Sequence, residues 1–365
     1  MLIRTPRAPS GRLSHNSLRT LGLFGLLPFV CHGCTDHPTG GPFENEQGID
    51  AEVLENVYAE LRALPGSFSL LVQRNGVLVG EEYFNGFTPD SIHDVRSVTK
   101  SVISILIGMA IEEGFIPSVD EPMGTYLTPV VDSIREEVAN TSIRHFLMMS
   151  SGLDWHELDL GTSYSDWWES EDMIQHVVDL PIVHSPGAQF IYNTGASHLL
   201  SVVLTEATGM PTLEFAREYL FDPLGFSDSS WLQENRGYDT GGMGLRITAR
   251  DMMKIGQMFL DGGRHEGTQL VPQPWIAQSV SPLITTDFAV PYGRDYGYLW
   301  WVCTGGGEDF FLANGYGGQF ILVVPALDLV IVTQNSWRGL GWTLAGEQWY
   351  RVLSLLVEEI LPAVD

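Results

Sequence analysis

Positive charge is scarce in this chain, and lysine is scarcest of all. Of 365 residues, 45 are acidic and 19 basic, giving a formal net charge of -26; lysine occurs only at Lys100 and Lys254. A nucleic-acid-binding chain needs a Lys/Arg patch to release counterions from phosphate, so this balance excludes that class. Cysteine is limited to Cys31, Cys34 and Cys303, too few for a disulfide framework. The sequence contains no G-x-S-x-G elbow, no Walker A loop, no H-E-x-x-H and no metal-spaced histidine cluster. No cofactor is therefore expected. Apolar residues are plentiful: 44% hydrophobic and 11% aromatic content excludes disorder. A chain of this length can bury a large core, as one large domain or two merged ones.

Residues 1–20 carry Arg4, Arg7, Arg12 and Arg19 and no acid, and an apolar run, Leu21–Val30, follows. Ten residues are too few to span a bilayer but suit the apolar segment of a signal peptide behind a basic start. Residues 1–33 are expected to be that leader and 34–47 a linker. Export follows, to the periplasm or cell envelope or into the medium. Removing the leader takes away four arginines and no acid, which makes the net charge -30. Cys31-His32-Gly33-Cys34 resembles a bacterial lipoprotein cleavage box, although Cys31 stands where Leu is usual and His32 where Ala or Ser is usual. That resemblance implies a lipid on Cys34 and attachment to a membrane; plain cleavage nearby is the alternative. The same residues form a C-x-x-C, but no strand-helix context surrounds them and Thr35, not His, follows, which disfavours redox and haem readings. Cys303 lies in an apolar run and reads as a buried, inert thiol.

Residues 48–63 have a helical stripe of Val53, Val57, Leu61 and Leu64. Ser67–Gln73 and Val77–Tyr83 read as strands joined at Asn75-Gly76, a type I′ hairpin signal. Residues 97–114 read as a nearly all-apolar, buried helix ending at Gly114. A largely helical stretch extends to about residue 245, and 248–262 is amphipathic. Strands return at Tyr298–Cys303, Phe310–Ala313, Gln319–Val324 and Leu329–Thr333, before a final helix from about Trp342 to Ile360. The expected fold is α+β: an antiparallel sheet covered by the terminal helices, with a helical part beside it. On this reading 48–96 and 246–365 form the sheet part of the domain 48–365, and 97–245 the helical part.

One motif carries chemistry. Ser97-Val98-Thr99-Lys100 is an S-x-x-K at the start of the apolar helix. Residues three apart share a helix face, so the amine lies beside the hydroxyl. An apolar setting lowers the lysine pKa, making a neutral amine that can take the serine proton. The helix N-terminus adds free N–H groups and a positive dipole for a developing oxyanion. With 27 serines and two lysines in 365 residues, chance supplies about 0.15 S-x-x-K matches, and one is present. The competing structural reading is a serine N-cap followed by a snorkelling lysine.

Further segments place the chain beside a known group. Asp94-Val95-Arg96-Ser97-Val98-Thr99-Lys100-Ser101, Ile143–Leu153, Pro186–Gly195 with Tyr192-Asn193-Thr194, Gly244–Met252 and Gly315-Tyr316-Gly317-Gly318-Gln319 follow one another in a family order. Across roughly residues 50–360 the chain resembles the class C β-lactamase-like serine hydrolases, which include esterases, D-alanyl-D-alanine carboxypeptidases and 6-aminohexanoate-dimer hydrolases. The resemblance implies a β-lactamase/penicillin-binding-protein fold, Ser97 as nucleophile, Lys100 as its partner and Tyr192 as proton shuttle. A tyrosine beside a charged lysine is expected to have its ionised form favoured. The backbone N–H groups of Ser97 and Tyr316 would hold the oxyanion.

Two departures stand out. Thr194 occupies the place of the family's substrate-orienting Asn, with Asn193 between it and the tyrosine. The third motif, usually Lys-Thr-Gly or His-Thr-Gly, is Ala313-Asn314-Gly315, without a cation, which argues against a carboxylate-bearing substrate. Asn193, Thr194, Asn314 and Gly315 are the substrate-binding candidates from these motifs. Tyr164 and Trp168 beside Trp167 either line a cleft or anchor a loop. His93, Asp94 and Arg96 read as structural, Trp300 and Trp301 as packing on opposite faces of a strand, and Lys254 as surface. The expected partner is a small ester or amide, with an ester first, linear amides second and β-lactams third. A catalytically weak lipid-anchored binding protein or sensor is the reading from another class.

Overall fold

The apolar segments assemble around one large sheet in the computed structural model, which describes residues 47–158, 162–286 and 290–365. The leader, Cys34 and the linker as far as residue 46 lie outside the described residues. The strands are β1 Ser67–Arg74, β2 Val77–Tyr83, β3 His93–Asp94, β4 Ser230–Trp231, β5 Leu245–Ile247, β6 Arg264–His265 and β7 Thr268–Gln269. There follow β8 Ile284–Thr285, β9 Gly293–Tyr296, β10 Trp301–Gly305, β11 Glu308–Gly315, β12 Gln319–Val324 and β13 Leu329–Asn335. Eight of them form an antiparallel sheet in the order β2-β1-β13-β12-β11-β10-β9-β8. The β1–β2 turn has positive φ at both Asn75 and Gly76, as a type I′ hairpin requires.

The helices are α1 Ala51–Ala63, α2 Val98–Glu112, α3 Gly124–Leu127, α4 Glu136–Ala139, α5 Ile143–Leu147 and α6 Thr162–Trp168. They continue as α7 Met173–Val178, α8 Thr194–Thr208, α9 Thr212–Ala216, α10 Ala249–Leu260, α11 Gln273–Ser279 and α12 Gly341–Ser354. A π-helical turn carries α12 on to Ile360.

Every residue of β12 and β13 is buried, so helices must cover both faces of the sheet centre. Adjacent residues show how. Phe320 turns its ring toward Trp349 of α12, whereas Ile321 faces α10. Gly256 permits that second contact, because a Cβ there would stand 2.4 Å from the Val330 side chain. Helix α2 is buried continuously from Val98 to Ala110, between the sheet and α8. Helix α8 is likewise buried from Thr194 to Leu204, and α3, α5 and α7 pack on it. Both helices are buried all round over these stretches, so their few polar side chains, such as Lys100 and His198, are enclosed with the apolar ones.

Several stretches differ from the sequence reading, among them strands β6 to β9, which it does not contain. The strand expected from Tyr298 begins only at Trp301, because Leu299 takes a left-handed φ of 59° and donates its N–H to Leu147. Trp300 therefore precedes the strand and packs on Phe259, while Trp301 packs on the opposite side against Tyr192 and Phe190. A second sheet, β3-β5-β4, has no counterpart among the expected strands. It is short, and it delivers Ser97 to its place.

Candidate active site

Strand β3 pairs with β5 through His93 and Asp94, and the Val95 N–H continues the ladder to Leu245. The chain then turns sharply. Arg96 adopts φ +50°, and its N–H is held by Asp94 Oδ1 at 2.8 Å. A non-glycine residue in this region costs of order 1–3 kcal/mol and persists only where its surroundings enforce it. Here the enforcing contacts are the Asp94 turn, the Asp94 carboxylate 3.7 Å from the guanidinium, and the stacking of Arg96 on Trp337 at 4.9 Å. Ser97 follows as the first residue before α2 and uses no side-chain cap bond, so its hydroxyl remains available to other partners. The structural role expected for Asp94 and Arg96 fits this turn. His93 sits among Phe68, Phe87 and Trp337, bonded to Asn335 O at 3.1 Å, and burial lowers its pKa to about 4.

One turn into α2, Lys100 is 1% exposed. Its Nζ lies 3.0 Å from Ser97 Oγ, 3.0 Å from Thr194 Oγ1 and 2.7 Å from Gly242 O. Burial, opposed by the Glu157 carboxylate and reinforced by Arg96, brings its pKa down to about 7. The Tyr192 ring covers the same amine at 4.9 Å, and its hydroxyl lies beside Ser97. The expectation of a readily ionised Tyr192 is reversed. Loss of solvent beside Trp301 and the nearby Glu157 charge push its pKa upward. A lysine already neutral near pH 7 supplies no positive charge at the higher pH where a tyrosine would ionise.

Glu157 escaped the sequence reading. One oxygen accepts the Thr194 hydroxyl at 2.7 Å; the other accepts the Thr194 N–H and the Trp155 indole N–H, each at 2.9 Å. Thr194, expected to orient substrate, is thus tied to Lys100 and Glu157. Asn193 is a buried N-cap whose side chain accepts Ala196 N–H at 2.7 Å, a structural task rather than the substrate contact expected of it.

These groups open on a cavity of about 780 Å³. Its walls include Tyr164, Trp301, Asn314, Tyr316 and Trp349 around Ser97 and Tyr192. Of the remaining candidates, Trp168 is 44% exposed and packs at a tilt against Trp167 rather than joining the cavity wall. Gly315 is absent from the wall but packs its Cα against Val95, where an added Cβ would stand 2.5 Å from the carbonyl oxygen. This contact sets the end of β11, and Tyr316 after it, against the turn that holds Ser97. Asn314 accepts the Trp349 indole N–H at 2.8 Å. Arg96 does reach the cavity, so a cation is present after all, but from the turn before α2 and not from the third-motif strand.

A serine, a buried amine and a tyrosine hydroxyl converge on the wall of a cleft. The Beta-lactamase family matches residues 54–343. The chain belongs to that family. This family is one of serine hydrolases, and its fold agrees with the architecture above. A 6-aminohexanoate-dimer hydrolase of Paenarthrobacter ureafaciens is 28% identical over 74% of this chain and 72% of its own length. Among solved structures, the octameric penicillin-binding protein homologue of Pyrococcus abyssi aligns with a TM-score of 0.67 at 21% identity, covering 86% of this chain and 78% of that one. EstCE1, a hydrolase with promiscuous acyltransferase activity, aligns with a TM-score of 0.65 at 15% identity, covering 82% and 98%. Other features stand apart from the site. Cys303 is buried with its thiol pKa pushed up, as an inert cysteine should be, and Lys254 pairs with the buried Asp251 at 2.9 Å. Among the described residues no helix is long and apolar enough to cross a membrane.

Proposed function

We propose that this β-lactamase-family hydrolase cleaves a small ester through an acyl-enzyme on Ser97. The observation that carries the reading is the 3.0 Å contact between Ser97 Oγ and a Lys100 amine whose pKa is about 7. The neutral amine takes the hydroxyl proton as Oγ bonds to the substrate carbonyl carbon, and the carbonyl electron pair moves onto its oxygen. The N–H groups of Ser97 and Tyr316 are assigned to that oxyanion. Tyr192, kept protonated by its surroundings, passes a proton to the leaving group and takes one back from the water that attacks the acyl group, and Lys100 returns its proton to Ser97 Oγ as the acyl–oxygen bond breaks.

Aromatic walls and the uncharged Asn314 in the third motif support an ester with apolar parts over a carboxylate-bearing β-lactam, since Arg96, the cation that does reach the wall, is already engaged by Asp94 and Trp337. Linear amides are the second reading, supported by the 6-aminohexanoate-dimer hydrolase relative.

A fluorophosphonate probe tests the nucleophile. Wild-type protein should be labelled and Ser97→Ala should not; no labelling, or labelling that survives the substitution, refutes the assignment. Rates on p-nitrophenyl esters, short linear amides and nitrocefin then rank the substrates. Ester turnover slower than amide turnover would make the linear amide the preferred substrate.

A further inference from the structure

The hydrogen-bond partners of Lys100 have a direction, and Glu157 sets it. A protonated Lys100 donates to all three of its neighbours. A neutral amine has two N–H bonds and one lone pair, so its neighbours decide where the lone pair points. Gly242 offers a carbonyl oxygen at 2.7 Å, which can only accept, and it takes one N–H. Thr194 has a single hydroxyl hydrogen, committed to Glu157 Oε1 at 2.7 Å. Its Oγ1 therefore meets Lys100 as an acceptor at 3.0 Å and takes the second N–H. What remains on the nitrogen faces Ser97 Oγ.

Glu157 is itself fixed. Three hydrogens run into its carboxylate, from Trp155 Nε1, Thr194 N and Thr194 Oγ1, so both oxygens are used as acceptors. We propose that Glu157 is a positioning residue: through Thr194 it orients the neutral Lys100 amine so that the lone pair is aimed at the Ser97 hydroxyl. Deprotonation then moves one hydrogen from Oγ to Nζ while Oγ bonds to the carbonyl carbon. No other proton has to move first.

The proposal rests on the serine-hydrolase reading, and it makes a demand that simple charge pairing does not. In Glu157→Gln the amide oxygen would keep the two N–H donors, which places the NH2 group opposite Thr194 Oγ1. The threonine hydroxyl must then accept from the amide, and its own hydrogen turns toward Lys100, where it competes with Ser97 for the lone pair. The charged and titratable groups facing Lys100 are Glu157 from the loop before α6, Arg96 from the turn before α2 and Tyr192 from the segment before α8. Removing the Glu157 charge leaves Arg96 unopposed and moves Lys100 deprotonation to lower pH.

The test compares wild type, Glu157→Gln, Thr194→Val and Thr194→Ser by fluorophosphonate labelling rate and by kcat and KM on a p-nitrophenyl ester between about pH 5 and 9. Glu157→Gln and Thr194→Val should lose at least about tenfold in labelling rate and kcat, with KM changed by less than about threefold. Thr194→Ser, which keeps the hydroxyl, should retain activity within about threefold of wild type. The acid limb of Glu157→Gln should move to lower pH. A Glu157→Gln variant with wild-type kcat and an unmoved limb overturns the proposal, as does a fully active Thr194→Val. If Glu157→Gln does not fold, as judged by circular dichroism, the contrast between Val and Ser at 194 decides. A wild type that the probe does not label overturns the serine-hydrolase reading instead.

Discussion

Lys100 Nζ lies closer to the carbonyl oxygen of Gly242, at 2.7 Å, than to the Ser97 hydroxyl, at 3.0 Å. A backbone atom is thus the nearest partner of the buried amine, and it has no side chain to adjust. A Cβ at 242 would stand 2.5 Å from Thr194 Cγ2 and 2.8 Å from Thr194 O. Gly242→Ala should push the carbonyl away from Lys100 and lower kcat about 10- to 100-fold, in line with the sensitivity of catalysis to ångström displacements. Ester kinetics on a variant with unchanged circular dichroism would show it; wild-type kcat would rule out the carbonyl as an anchor.

The acidity of Lys100 gives a pH signature. The base must be neutral, and its pKa is about 7. The value of kcat/KM should therefore rise with pH through a midpoint near 7 and level off above it. Lys100→Arg, which stays protonated, should be inactive across the range. A limb persisting in that variant would assign the titration elsewhere.

Tyr192 should behave as a proton donor throughout this range, because its surroundings resist ionisation. Tyr192→Phe should lose about 10²–10⁴ in kcat, the usual contribution of a positioned acid–base group. In wild type no alkaline decline with a tyrosine midpoint should appear up to about pH 10. Such a decline, absent from Tyr192→Phe, would show that the phenol ionises in the working enzyme.

Function here costs stability. A lysine whose pKa is about 7 in the native state and 10.5 when solvated binds fewer protons folded than unfolded between those values. Wild-type stability should therefore rise with pH from about 7 toward 10.5 on account of this group. Lys100→Met lacks that slope. At pH 7 the penalty is up to about 4 kcal/mol, reduced by lost hydrogen bonds of ~1 kcal/mol each, so the variant should be about 1–2 kcal/mol more stable. Urea unfolding at pH 7 and pH 9.5 would reveal a gap that narrows with pH; a less stable variant at pH 7 would contradict the burial cost.

What could be read in the sequence was local. Ser97 and Lys100 were visible because three residues make nearly one turn of a helix, and an all-apolar helix announces its burial. The hairpin at Asn75-Gly76 and the paired strands β12 and β13 were visible for the same reason, through turn chemistry and continuous apolar runs. Glu157 was not. It lies in a loop without periodicity, and its partner Thr194 is 37 residues away. Gly242 contributes an atom that every residue possesses, so no residue type could mark it. The aromatic cluster near α6 shows a further limit: it reads either as a cleft wall or as a loop anchor, and the structure divides it, with Tyr164 lining the cavity, Trp167 buried in the core and Trp168 turned outward. The strand expected from Tyr298 starts later because one left-handed residue, Leu299, outweighs a run of strand-forming side chains.

The approach of Gly315 to the Val95 carbonyl leaves this enzyme family member with two kinds of position around its cleft. Where backbone meets backbone, spacing is fixed by atoms that mutation cannot shorten, and a single added methyl group would force the end of β11 away from the serine turn. Where Tyr164, Trp301 and Trp349 line the cavity, size and polarity can vary without moving that frame. Laboratory selection for new substrates should accordingly accumulate changes in the aromatic lining and leave residue 315 untouched.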